Sequence, residues 1–167
     1  MGFEDPRAIA FYGLIVTESR LRERLEDELE ATTGISLSRL ELLLHIHFED
    51  GRRRMSDLAD ALLLSRGGAT RLVAKAEEEG LVTREIPADD RRATFAVLTD
   101  KGREAALRGM PVYNEVVNRL FGEVTEEEAI LLVRIFARVL HANDASCKPI
   151  TLAAEELAEL PTEVVNG

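Results

Sequence analysis

The chain has 167 residues, 46% of them apolar, which is the length of one domain with a sizeable core. Aromatic residues make up 5% and Trp is absent, while Leu, Ala, Arg and Glu abound, so the fold class expected is mainly α (α+β) and not a sandwich or barrel. A formal charge of −10 argues against a uniformly basic nucleic-acid binder.

Met1 to Gly13 opens acidic and lacks the basic and apolar regions of a secretory leader, so none is expected. Pro6 to about Ala31 reads as a long helix, with Leu14, Leu21, Leu25 and Leu29 at helical spacing. Gly34 ends it, and Ser36 is the N-cap of a second helix, Leu37 to Phe48. Glu49 to Arg54, with three consecutive arginines, reads as a loop. Ser56 caps a short third helix running to Leu64, and Ser65 caps a fourth. In that fourth helix Ala69, Leu72, Val73 and Ala76 form an inward stripe. The opposite face carries Gly67, Thr70, Arg71 and Ala74, all small or basic, and Gly80 is the stop.

Leu81 to Ile86 and Ala93 to Leu98 are apolar and β-branched, and they flank the polar tip Pro87 to Arg92, the pattern of a hairpin. Thr99 opens a fifth helix reaching about Phe121, which Pro111 should kink by removing a backbone donor. Thr125 to Glu128 is a capping box, and Leu132, Ile135, Phe136, Val139 and Leu140 stripe a sixth helix. Thr151 to Leu160 is a weak amphipathic helix. A single cysteine, Cys147, allows no intrachain disulfide and fits a reducing compartment. No apolar run approaches the roughly 20 residues of a bilayer span, so a cytoplasmic protein without membrane contact is expected.

The order helix, turn, helix, hairpin is that of a winged helix-turn-helix. A recognition helix presents its first turn to the major groove, about 12 Å wide, which places Ser65, Arg66, Gly67, Gly68, Thr70 and Arg71 at the bases. Two glycines there cost about 1 kcal/mol each against alanine, a loss that close approach to DNA would offset. A thin hairpin carries guanidinium groups into the narrow minor groove, so Asp90, Arg91 and Arg92 are the wing candidates, with Asp90 placed to orient Arg92. The charge distribution agrees. Arg52 to Arg92 carries nine Lys/Arg against eight Asp/Glu, while the remainder carries twelve against twenty-three.

Asp90, Arg92, Leu98, Thr99 and Gly102 match the pattern D-x-R, five residues, L-T, two residues, G. With Gly80 to Arg84 (GLVTR) and the SRGGATRLV helix start, they resemble the multiple antibiotic resistance regulator (MarR) family from roughly Arg7 to His141. The resemblance implies an intertwined homodimer on a double-stranded, pseudo-palindromic operator, with Arg92 as the wing arginine. It also implies a small effector, often phenolic or lipophilic, bound between the dimerisation and DNA-binding regions. Phe11, Tyr12, Ile15, His45 and Tyr113 are the pocket candidates, and dimer core is the equal alternative for them. The family's peroxide-sensing branch needs a cysteine in the first helix, and this chain has none there.

The organisation expected is a helical dimerisation region from 1–34 and 103–144, a DNA-binding region over 35–102 and a C-terminal extension over 145–167. His45 and Glu49 have ligand spacing on one helix, yet two histidines without a Cys/His cluster make no metal site, and no metal or cofactor is expected. No nucleophile–base pair or phosphate-cradling glycine loop suggests an enzyme. The function expected is a ligand-responsive transcriptional repressor; the alternative is a winged-helix protein-interaction module.

Overall fold

A computed structural model of the chain describes residues 4–88, 90 and 93–143. The chain divides into two compact units, with the break between Leu120 and Phe121.

The first unit starts with helix α1 (Pro6–Thr33). The Asp5 carboxylate accepts from the Arg7 backbone N–H at 2.8 Å, and Pro6 sits at the helix start, where its missing donor costs nothing. Gly34 closes the helix at φ +69, its N–H returning to the Glu30 carbonyl. Only Leu25 and Leu29 of α1 are buried, whereas Ile9, Phe11, Tyr12, Leu14, Ile15 and Val16 are exposed.

Helix α2 (Leu37–His47) is the hub, packed on α1 and on every later element of this unit but one strand. It buries Leu37, Leu40, Leu42, Leu43 and Ile46, more than one stripe, as a helix covered on several sides must. Ser36 holds the N-cap position without a side-chain cap bond; instead Glu26 of α1 accepts from the Leu37 N–H at 3.1 Å.

The expected loop before the third helix is in fact a strand, β1 (Arg52–Arg54). Helix α3 (Met55–Ala61) then starts one residue before Ser56 and ends three before Leu64. Met55 donates its N–H to the Thr94 carbonyl, Arg54 occupies the cap position, and the Ser56 hydroxyl donates to Asp57 instead of capping. The helix stops because Leu63 takes a left-handed φ of +54, after which Leu64 donates back to Ala59.

Helix α4 (Arg66–Glu78) has the expected cap, with Ser65 Oγ accepting from the Gly68 N–H at 3.1 Å. Ala69, Val73 and Ala76 are buried, and Gly80 turns the chain at φ +71. Strands β2 (Val82–Glu85) and β3 (Phe95–Leu98) are the hairpin stem, shorter than the sequence pattern suggests. The antiparallel sheet has the order β1-β3-β2, with Val97 opposite both Arg52 and Thr83. Val82, Ala96 and Leu98 face the core. Helix α5 (Asp100–Leu120) packs on α1 and α2 and runs unbroken through Pro111.

The described part of the second unit is a turn over residues 121–125 followed by helix α6 (Glu126–Asn143). Its capping box forms as expected: Glu128 accepts from the Thr125 N–H at 2.9 Å, and the Thr125 hydroxyl accepts from the Glu128 N–H at 3.3 Å. No residue of α6 is buried. Cys147, Thr151 to Leu160 and the 145–167 extension lie outside the described residues.

Candidate nucleic-acid interface

The α3–turn–α4 unit sets one face of α4 outward. Ser65, Arg66, Gly67, Thr70 and Arg71 are exposed, while Gly68 is half-buried against the cap. Ser65 therefore has a structural task, and Thr70 donates its hydroxyl to the Arg66 carbonyl at 2.8 Å. The two glycines differ. A Cβ on Gly68 would lie 3.3 Å from Ser65 Oγ and 3.5 Å from Leu64 Cβ, whereas at Gly67 the nearest atom is the tip of Arg71 at 3.7 Å.

The wing stem is locked to the C-terminal end of α4. Arg84 on β2 donates to Glu77 through its backbone N–H at 3.2 Å and its Nε at 2.8 Å, and the hydrogen bond to Arg84 holds the Glu77 carboxyl below the usual range. Thr99 Oγ1 donates to the Gly80 carbonyl at 2.7 Å and accepts from the Gly102 N–H at 3.0 Å, capping α5. Lys101 donates to the Glu79 carbonyl at 2.7 Å. Gly102 is required by contact: a Cβ there would lie 1.9 Å from the Leu81 carbonyl oxygen. The L-T, two residues, G pattern is thus a joint between helix, wing and α5.

At the wing tip Asp90 is described, but Arg91 and Arg92 lie outside the described residues. Asp90 comes within 3.5 Å of the Arg54 guanidinium on β1, a partner the sequence did not suggest. Alternation splits the three arginines of that strand. Arg53 points inward, donating to the His45 carbonyl at 3.1 Å and pairing with Glu49 at 3.8 Å. Arg52 lies over the Phe95 ring at 3.7 Å and pairs with Glu85 at 3.5 Å. Arg54 borders two open depressions. One, of about 320 Å³, is lined also by Met55, Ser56, Arg66, Thr70 and Thr94. The other, of about 260 Å³, lies over Pro87, Asp90 and Phe95.

Phe11, Tyr12 and Ile15 lie on the exposed half of α1, while Tyr113 is half-buried on α5 near Glu41 and Arg22. Arg22 is seven residues beyond Ile15, about 10 Å along the helix, so a single protomer spreads these candidates out. Burial pushes both the Glu41 carboxyl and the Tyr113 phenol up, and the Arg22 guanidinium, 3.6 Å from Glu41, offsets part of it. The His45–Glu49 pair is spanned by a cation: Arg53 Nη1 donates to His45 Nδ1 at 3.2 Å. Burial and that charge lower the His45 pKa. Among the described residues no group of three or more metal-binding side chains occurs. No helix among them is long and apolar enough to cross a membrane.

An exposed small-and-basic helix face after a short turn, backed by a three-stranded wing, defines a winged helix-turn-helix. The MarR family model matches residues 33–93. The chain is 34% identical over 110 residues to the HTH-type transcriptional regulator YdgJ of Bacillus subtilis. That alignment covers 66% of each chain, so just under two thirds of this relative's length is spanned. The MarR family regulator AbsC of Streptomyces coelicolor superposes with a TM-score of 0.79 at 27% identity, covering 87% of this chain and 99% of that one. Sco3205 of the same organism, solved in complex with DNA, gives 0.79 at 26% identity, covering 87% and 96%. In sequence and in fold the chain is similar to the MarR family of transcriptional regulators.

Proposed function

We propose that the protein is a ligand-responsive, sequence-specific DNA-binding repressor that binds a pseudo-palindromic operator as a homodimer in the cytoplasm. The observation that carries this reading is the outward face of α4, where Arg66, Gly67, Thr70 and Arg71 stand clear of the protein's own core. Two such helices one DNA turn apart, about 34 Å, would enter successive major grooves. The likeness to Sco3205, a structure containing DNA, supports the partner. The exposed apolar half of α1 and the unburied stripe of α6 support a second copy of the chain. Arg91 and Arg92 are proposed to enter the flanking minor grooves, where negative potential is concentrated.

The effector is a small phenolic or lipophilic molecule whose binding favours a dimer with the wrong spacing for the operator. The family resemblance and the half-buried Glu41–Tyr113 pair between α2 and α5 support it.

The test is duplex binding as a function of salt. A dimer that neutralises several phosphates loses affinity by orders of magnitude over a few-fold rise in salt, with a linear log–log slope. A flat dependence removes the DNA-binding reading. Recovery of a stoichiometric protein partner with no retained duplex would favour the interaction-module alternative, for which the acidic charge outside Arg52–Arg92 speaks.

A further inference from the structure

We propose that Arg54 on β1 binds a DNA backbone phosphate between the recognition helix and the wing, an assignment that rests on the DNA-binding reading above.

The neighbouring arginines supply the contrast. Arg53 is 11% exposed and committed to His45 and Glu49, so it holds β1 against the end of α2. Arg52 shares the outward face with Arg54, and its 3.5 Å pair with Glu85 is as exposed as that of Arg54 with Asp90, but its guanidinium is spread over the Phe95 ring and does not line the larger depression. Arg54 is 46% exposed, and its guanidinium pairs with a half-exposed Asp90 at 3.5 Å. A pair of that kind is worth little in water and yields readily to a stronger anion. Until then it holds the guanidinium between the two depressions.

The larger depression has the chemistry of a phosphate site. Among the described residues its lining offers two guanidinium groups, from Arg54 and Arg66, and three hydroxyls, from Ser56, Thr70 and Thr94, with no carboxylate. Guanidinium donors match phosphate oxygens in charge and geometry. The position also fits. Arg66 opens α4, which reads the major groove, and Thr94 leads out of the wing, so the strand of DNA between the two grooves passes over Arg54.

The test uses the full chain, with an operator duplex recovered by selection and a scrambled duplex of the same length. Arg54→Ala is expected to bind both duplexes about tenfold or more weakly, by the same factor, and to lower the salt slope by about one for each protomer. Arg52→Ala removes the same formal charge two residues away and is expected to change the slope much less. Arg54→Gln gives the Arg54→Ala result again with a longer polar side chain, and thermal melting checks that each variant is folded. A slope for Arg54→Ala equal to that of the wild type or of Arg52→Ala overturns the assignment. So does a larger loss on the operator than on the scrambled duplex, because it would make Arg54 a reader of bases. Wild-type protein that binds neither duplex overturns the DNA-binding reading itself, and this is seen before any variant is compared.

Discussion

Gly67 and Gly68 stand side by side in the first turn of α4, yet only one is constrained by the protein. Gly68 is crowded by Ser65 and Leu64, whereas Gly67 faces out with room for a methyl group. Alanine is about 1 kcal/mol better than glycine inside a helix. Gly67→Ala should therefore raise the melting temperature while weakening DNA binding several-fold, because in the proposed complex the added methyl would stand where the duplex approaches. A stabilised variant with unchanged affinity would show that the glycine serves no close approach. Gly102→Ala is the reverse case. Its Cβ would press on the Leu81 carbonyl, so the helix–wing joint must move, at a cost of about 2 kcal/mol or more measured by urea unfolding. His45 adds a pH dependence. Its folded pKa is depressed by burial and then by Arg53, so both states are neutral at high pH. As pH falls below the unfolded value of about 6.5, the unfolded chain binds the proton first and stability drops until the folded pKa is passed. NMR titration should find the His45 ring below that value; a raised midpoint would contradict the Arg53 contact.

At the scale of elements, sequence signals and structure agree where a residue both breaks one element and starts the next. Gly34, Ser65, Gly80 and the Thr125–Glu128 box each mark a boundary by a backbone need that few residues meet. Strand β1 has no such mark. Three arginines carry neither alternation nor β propensity, and the strand exists because β3 offers an edge 41 to 45 residues away. The end of α3 was hidden for the opposite reason, since Leu63 takes a left-handed φ that usually signals Gly or Asn. The outward face of α4 was legible because its period is local. The placement of Arg54 was not, because it depends on alternation within β1 and on neighbours from α4 and the wing. Pro111 carries an element-scale prediction. It sits inside α5 and leaves the Leu107 carbonyl without its helical donor. Pro111→Ala should stabilise the chain by about 1 to 2 kcal/mol, the helical gain less the restored freedom of the unfolded chain. A lower melting temperature would mean that proline itself is needed at this position for α5 to fit α1 and α2.

For the whole molecule, the chain's apolar surface and its charge bear on the same question. The core of the first unit is complete in one copy: Leu29, Leu40, Leu43, Ile46 and Val73 are fully enclosed. Ile9, Phe11, Tyr12, Leu14, Ile15 and Val16 are not, and a run of that size at one end of a helix is rare on a monomer's surface. Burial of such a side chain is worth about 1.5 to 3 kcal/mol, enough in sum to favour association strongly even after its entropic cost. The acidic charge lies mostly outside Arg52–Arg92, so in the proposed dimer it is the near-neutral segments that would face the DNA. Two measurements follow from the proposed dimer. The melting temperature should rise with protein concentration, as mass action requires of a folded dimer. The double variant Phe11→Glu, Ile15→Glu should sediment as a monomer, because it places charges in the interface without touching the enclosed core. It should also lose most operator affinity, since a single head gives up half of the phosphate contacts and with them about half of the salt slope. A variant that stays dimeric, or a monomer that keeps the full slope, would show that this face of α1 is not what joins the two heads.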